Sequence, residues 1–366
     1  MPLIIEGGRV PSLWAERCAS NFVIPIDSRL RRSEGLNLAL INNMPDAALE
    51  DTELQFFELL DMASGNVPVF IRLYSLTGVP RTDRGLRHLN SFYHPFDDLW
   101  ESRFDGVIVT GTEPHHANLR DEPYWNLMVR VFDWAERNTS STILSCLAAH
   151  ASVLYCAGIK RHPLPDKKFG VFDAVRNVDH PLISHGTNAV RFPHSRWNEV
   201  REDELTSAGY IVVTKSADAG VDLFLRKMKH SLFVHFQGHP EYGAQTLAKE
   251  FRRDVKRFLR RERETYPNMP HGYFSEASLR VLNDFRAKAV ADRCEEMMES
   301  FPEWVINGLE RSWESSANGV YRNWMSFLAS RKAETSSFTS FACVGSDRSA
   351  SIINNQNTQP SSSAAQ

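Results

Sequence analysis

Short apolar runs alternate with helically spaced apolar positions through the first two-thirds of this chain, and few folds accommodate that order. Leu36-Asn37-Leu38-Ala39-Leu40-Ile41 reads as a buried strand closed by Asn42-Asn43-Met44-Pro45. Leu49, Phe56, Phe57, Leu60 and Ala63 follow at helical spacing, and Val67 to Leu73 returns to strand. Phe104 to Gly111 is a further strand with a glycine exit, and Tyr124 to Asn138 reads as a helix. Ser141 to Ser145 is a short strand that runs into a helix of small and apolar residues, Leu147 to Ala157. Such alternation with short connections predicts an α/β fold, a mostly parallel sheet flanked by helices on both faces. Shorter strands then take over, at 209–213, 221–225 and 232–236, and a helix from Ala244 to about Arg263 closes the domain.

The organisation expected from these patterns has four parts. Residues 1–35 have no clean period and form an extension packed on the domain, which itself spans 36–274. A helical C-terminal segment covers 275–333, charged from Leu279 to Leu309 and aromatic-rich from Trp313 to Leu328. The tail, 334–366, is Ser, Thr, Asn, Gln and Ala with too few large apolar residues to pack, and is expected to be disordered.

Composition removes several classes of function. The formal charge is only −3, with both signs mixed along the chain, so no nucleic-acid footprint or polybasic membrane tether is expected. The basic run from Arg252 to Arg263 reads as the solvated face of a helix. No run approaches the ~18 apolar residues of a membrane span, and the N-terminus lacks the features of a secretion signal. The five cysteines are irregularly spaced without a Cys-x-x-Cys, so neither a disulfide framework nor a metal site is expected. A cytoplasmic protein with free thiols fits these facts. With no Gly-x-Gly-x-x-Gly and no P-loop, the sheet is not expected to hold a dinucleotide or a nucleoside triphosphate.

In an open parallel sheet, ligands collect at the carboxyl ends of the strands. Thr142-Ile143-Leu144-Ser145-Cys146-Leu147-Ala148 places Cys146 on a tight strand-to-helix turn, the geometry of a nucleophile elbow. A helix N-terminus there stabilises a thiolate, and the Leu147 N–H is placed to hold an oxyanion. Taken alone, Cys146 reads rather as a buried core cysteine, as Cys156 does on the following helix. Gln237-Gly238-His239-Pro240-Glu241 ends another strand. There Glu241 can accept from one ring nitrogen of His239 and fix its tautomer, although a solvated loop histidine has the same local pattern. Together the two segments supply nucleophile, base and orienter. His115-His116 reads as loop, His150 as packing, Pro193-His194-Ser195-Arg196 as a polar turn, and Lys167 and Lys168 as surface lysines.

Enough of these segments occur in order for the chain to resemble the homoserine O-succinyltransferase family, acyltransferases built on a flavodoxin-like, class I glutamine-amidotransferase-like fold. The resemblance runs from Leu36 to Phe274. It rests on Asn43-Met44-Pro45 with Thr52-Glu53, His88 to Tyr93, Thr110-Gly111, Tyr124-Trp125, Cys146, Gly170-Val171-Phe172, Pro193-His194-Ser195-Arg196, Gly238 to Tyr242 and Arg253-Asp254. It implies Cys146 as the acyl-carrying nucleophile, His239 as general base, Glu241 as its orienter, and Lys167, Ser195 and Arg253 as substrate-binding residues. It also implies succinyl-CoA or acetyl-CoA as co-substrate, with no bound cofactor and with L-homoserine as acceptor. Small molecules are the expected partners, with a homodimer left open. The chain departs from the family after Pro45, where Asp46 to Asp51 carries no lysine for the oxyanion. His115 falls at the position that helps to set acyl choice, where glutamate accompanies acetyl and glycine succinyl. Alternatives still open on sequence are acetyl transfer, a serine acceptor, a glutamine amidotransferase-type hydrolase and a non-catalytic binding protein.

Overall fold

The computed structural model describes residues 3–6, 34–183 and 188–346. The chain begins with β1 (Leu3–Ile5), β2 (Leu36–Ile41), α1 (Asp46–Ser64), β3 (Val69–Tyr74), α2 (Asp83–Phe92) and β4 (Gly106–Val109). It continues through α3 (Trp125–Asn138), β5 (Ser141–Ser145), α4 (Leu147–Ala157), β6 (His162–Arg176), β7 (Ala189–Glu199) and α5 (Glu202–Ser207). Four short strands follow, β8 (Ile211–Val212), β9 (Thr214–Ser216), β10 (Gly220–Val221) and β11 (Leu223–Lys227), and then β12 (Leu232–Phe236). Helices α6 (Thr246–Leu259), α7 (Glu276–Ala291), α8 (Trp304–Asn307) and α9 (Glu314–Ser346) complete it.

Eight strands form one sheet in the order β1-β3-β2-β4-β5-β12-β11-β8. The first six pair in parallel, and β11 and β8 add antiparallel at one edge. The α/β expectation is met, and the period-two logic is visible residue by residue. Leu36, Leu38 and Leu40 of β2 enter one core while Ala39 and Ile41 enter the other. Both faces are therefore apolar, because helices cover both. Helices α1 and α6 and the first turns of α9 pack on one side, and α3 and α4 on the other.

Helix α9 reaches the sheet because β4 begins with glycine. A Cβ on Gly106 would lie 2.7 Å from both the Trp324 ring and Leu328. Trp324 is fully buried and donates its indole N–H to Ser141 Oγ at 3.0 Å. Truncating such a side chain costs about 3–5 kcal/mol, so this helix is part of the domain's core.

Four features differ from the sequence reading. Residues 3–5 add β1 in parallel to the sheet edge, and residues 7–33 of the expected extension lie outside the described residues. A second sheet, β10-β9-β6-β7, is dominated by the long antiparallel β6–β7 pair. The charged stretch 279–309 is broken into α7, a short 3-10 turn at 295–300, and α8. Helix α9 continues to Ser346, past the point at which order was expected to stop, since each added residue of an established helix gains one hydrogen bond without a new nucleus. The rest of the expected disordered tail, 347–366, is outside the described residues. Among the described residues no helix is long and apolar enough to cross a membrane.

Candidate active site

The carboxyl ends of β2, β4, β5 and β12 lie side by side, and the turns leaving them form the site. Cys146 occupies the turn between β5 and α4 with φ 49° and ψ −106°, a backbone region that a side chain rarely adopts. Two bonds hold it there. Its N–H donates to the Phe236 carbonyl at the end of β12 (2.8 Å), and its own carbonyl accepts from the His150 N–H (3.2 Å). The thiol is partly exposed, which excludes the buried-core reading of Cys146. Cys156 is also partly rather than fully buried, and burial pushes its thiol pKa up.

His239 faces that thiol. Its N–H donates to the Pro193 carbonyl at 2.7 Å, its ring stacks on Tyr242 at 4.2 Å, and Nδ1 lies 2.9 Å from Glu241 Oε1. The ring also hydrogen-bonds the Cys146 side chain. Ser145 Oγ donates to the same Glu241 oxygen at 3.1 Å. Burial alone would depress His239. The Cys146 and Glu241 charges, and the hydrogen bonds to both, outweigh it and hold the imidazolium well above the ordinary histidine value.

Gly111, at the exit of β4, abuts the first turn of α4. A Cβ there would meet Leu147 Cβ at 2.8 Å and Leu147 N at 3.0 Å. Glycine thus leaves open the face of the Leu147 N–H that an oxyanion would use.

Lys167 and Ser195 are not on a surface and a turn. They lie on β6 and β7, where Phe169 pairs with Ser195, and both reach Glu250 of α6. Lys167 Nζ is 3.1 Å from Glu250 and 3.7 Å from Asp254, and lies 4.0 Å over the Phe169 ring. Ser195 Oγ donates to Glu250, and Tyr242 OH donates to it at 2.9 Å. Burial would raise the Glu250 carboxyl, but the Lys167 charge and these hydrogen bonds hold it below the ordinary glutamate value. Arg253, one turn on, is half exposed and bonds Asp254 at 3.1 Å through NH2. Its charge also feels Glu113 in the loop after Gly111.

Tyr242 links the two groups, stacked on His239 and bonded to Glu250, and Trp313 holds its carbonyl at 3.0 Å from the C-terminal segment. Glu250 was missed in the sequence, although Glu250, Arg253 and Asp254 at i, i+3 and i+4 share a helix face. His115 lies exposed in the loop after β4, where Glu122 Oε1 accepts its N–H at 2.7 Å. His150 is buried on Gln237 Oε1 at 2.9 Å, as packing requires. Among the described residues no group of three His, Cys, Asp or Glu could hold a metal ion.

The family model for homoserine O-succinyltransferase matches residues 24–335. A homoserine O-succinyltransferase of Rhodopseudomonas palustris is 44% identical over 296 residues, 81% of this chain and 89% of that protein. One from Bradyrhizobium japonicum is 42% identical over 90% of this chain and 99% of its own. Among solved structures, a glutamine amido transferase from Methylobacillus flagellatus is similar at a TM-score of 0.46 and 12% identity, covering 81% of this chain and 94% of that one.

Proposed function

Because the chain belongs to the homoserine O-succinyltransferase family, and transfer of a succinyl group to homoserine is accordingly its activity, we propose that Cys146, His239 and Glu241 carry that reaction. The observation behind this assignment is the relay from a strained elbow thiol through His239 to a buried carboxylate. The acyl donor is succinyl-CoA. The Cys146 thiolate attacks the thioester carbonyl, a new S–C bond forms, and the oxyanion faces the Leu147 N–H. Collapse breaks the bond to the CoA sulfur, and His239 gives it a proton.

Acylation changes His239. The thiolate that raises its proton affinity becomes a neutral thioester, and the ring, now neutral, is the stronger base for the second half. It takes the proton of the homoserine hydroxyl as the oxygen attacks the thioester, and Cys146 departs as thiolate. Glu241 holds the Nδ1 proton throughout, which leaves the other nitrogen for transfer. Arg253 receives the carboxylate of homoserine, a task suited to its planar fork, while Lys167 and Ser195 line the pocket through Glu250. The setting is cytoplasmic, where acyl-CoA is available, and the protein works on small molecules.

Two half-reactions require exchange without the acceptor. Labelled CoA should enter succinyl-CoA with no homoserine present, and initial rates should give parallel double-reciprocal lines. Intersecting lines with no exchange would replace the acyl-enzyme by direct transfer.

A further inference from the structure

The succinyl group differs from simpler acyl groups by a free carboxylate, and removing a carboxylate from water requires a partner for it. We propose that Arg161 is that partner, receiving the distal carboxylate of the succinyl chain while its carbonyl carbon is bound to Cys146. The assignment rests on the succinyl-transfer reading above.

Arg161 lies between α4 and β6 and is half-buried. Its NH2 donates to the carbonyls of His116 (3.1 Å) and Ala117 (3.2 Å), in the loop that leaves β4. The same loop starts at Gly111, in contact with Leu147 beside the nucleophile. Cys146 and Arg161 thus border one loop from two sides, and their charges act on each other.

What distinguishes Arg161 is that its fork is not filled. Among the described residues, Nε and NH1 have no protein acceptor, and no carboxylate is within ion-pair distance. Glu122, whose charge it also feels, is turned to the loop, with Oε1 accepting the N–H groups of His115 and His116 at 2.7 and 2.6 Å. Arg196, the other arginine on which the Cys146 charge acts, is engaged throughout. Its nitrogens meet the Asn198 carbonyl at 2.8 Å, the Ala219 carbonyl, and His194 Nδ1 at 3.3 Å. Lys167 is held by Glu250 and Asp254, and Arg253 by Asp254. Two adjacent guanidinium nitrogens left open in this way match a carboxylate bidentately.

The test compares kcat/KM for succinyl-CoA with that for butyryl-CoA, whose acyl arm has the same length without the charge. In Arg161→Met the succinyl-to-butyryl ratio should fall about 10- to 100-fold, the effect of losing a charge-assisted pair. Arg161→Lys, which keeps the charge but not the fork, should recover part of it. If Arg161→Met melts early, Arg161→Gln reads the same ratio, since its amide can still donate to the loop carbonyls. A brace for the loop alone would lower both donors together and leave the ratio unchanged, which overturns the assignment. A wild-type protein that forms no succinyl adduct on Cys146 refutes instead the succinyl-transfer reading beneath it.

Discussion

Replacing Glu241 by glutamine should separate its charge from its shape. Glu241 is buried, and one oxygen, Oε1, accepts from both His239 Nδ1 (2.9 Å) and Ser145 Oγ (3.1 Å). The other, Oε2, is buried with no hydrogen-bond partner among the described residues. Glutamine has two ways to fit, and both cost. If its carbonyl takes the Oε1 place, the amide N–H groups enter the buried place of Oε2, to which no described group donates. If it flips, the amide donates toward Nδ1, and the His239 proton moves to the nitrogen that must receive one. A hydrogen bond to a charged group contributes about 1.5–3 kcal/mol. At about 1.4 kcal/mol per pKa unit, His239 should fall by about one to two units and acylation should slow about 10- to 150-fold. The sign follows from the cause: without the carboxylate the imidazolium loses its proton more easily. The alkaline limb of the acylation rate therefore moves to lower pH in Glu241→Gln. Single-turnover formation of the succinyl-enzyme across pH reads both effects. A wild-type rate with an unmoved limb would refute the relay.

Other expectations follow from the same geometry. Gly111→Ala would press a methyl group against Leu147, and acylation should slow about 10²-fold or more through the oxyanion, measured by single-turnover kinetics. Asp222 is fully buried, and burial raises its carboxyl pKa to about 6 from the ordinary 3.8, against the Gly238 N–H and the Arg196 charge. A raised value means that its stabilising contribution is complete below the unfolded pKa and is lost as pH rises through about 6. Asp222→Asn, which cannot ionise, should therefore gain about 3 kcal/mol relative to wild type between pH 3.5 and 7 in urea titrations. Equal pH dependence of the two proteins would show that Asp222 is not the group responsible.

The parts of this molecule legible in its sequence are those set by local physics. Strands β2 and β12 are buried on both faces and so read as mostly apolar runs, and the glycine exit of β4 marks its end. The elbow at Cys146 and the His239–Glu241 pair were visible because each lies within a few consecutive residues. The β6–β7 hairpin was not legible. Pro163, Pro165, Lys167 and Lys168 interrupt any period of two, and much of β6 is exposed or only partly buried. Nor was the convergence of Lys167, Ser195 and Tyr242 on Glu250, which depends on how β6, β7 and α6 meet. Arg161 carries no local signal at all. Its meaning comes from the carbonyls of His116 and Ala117, which only the fold brings to it.

The central claim is a succinyl thioester on one cysteine, and the intact mass of the protein tests it most directly. Mixed with succinyl-CoA, the wild type should gain one succinyl group, Cys146→Ala should gain none, and L-homoserine should discharge the adduct. An unchanged mass in the wild type, or an equal adduct in Cys146→Ala, would contradict the account.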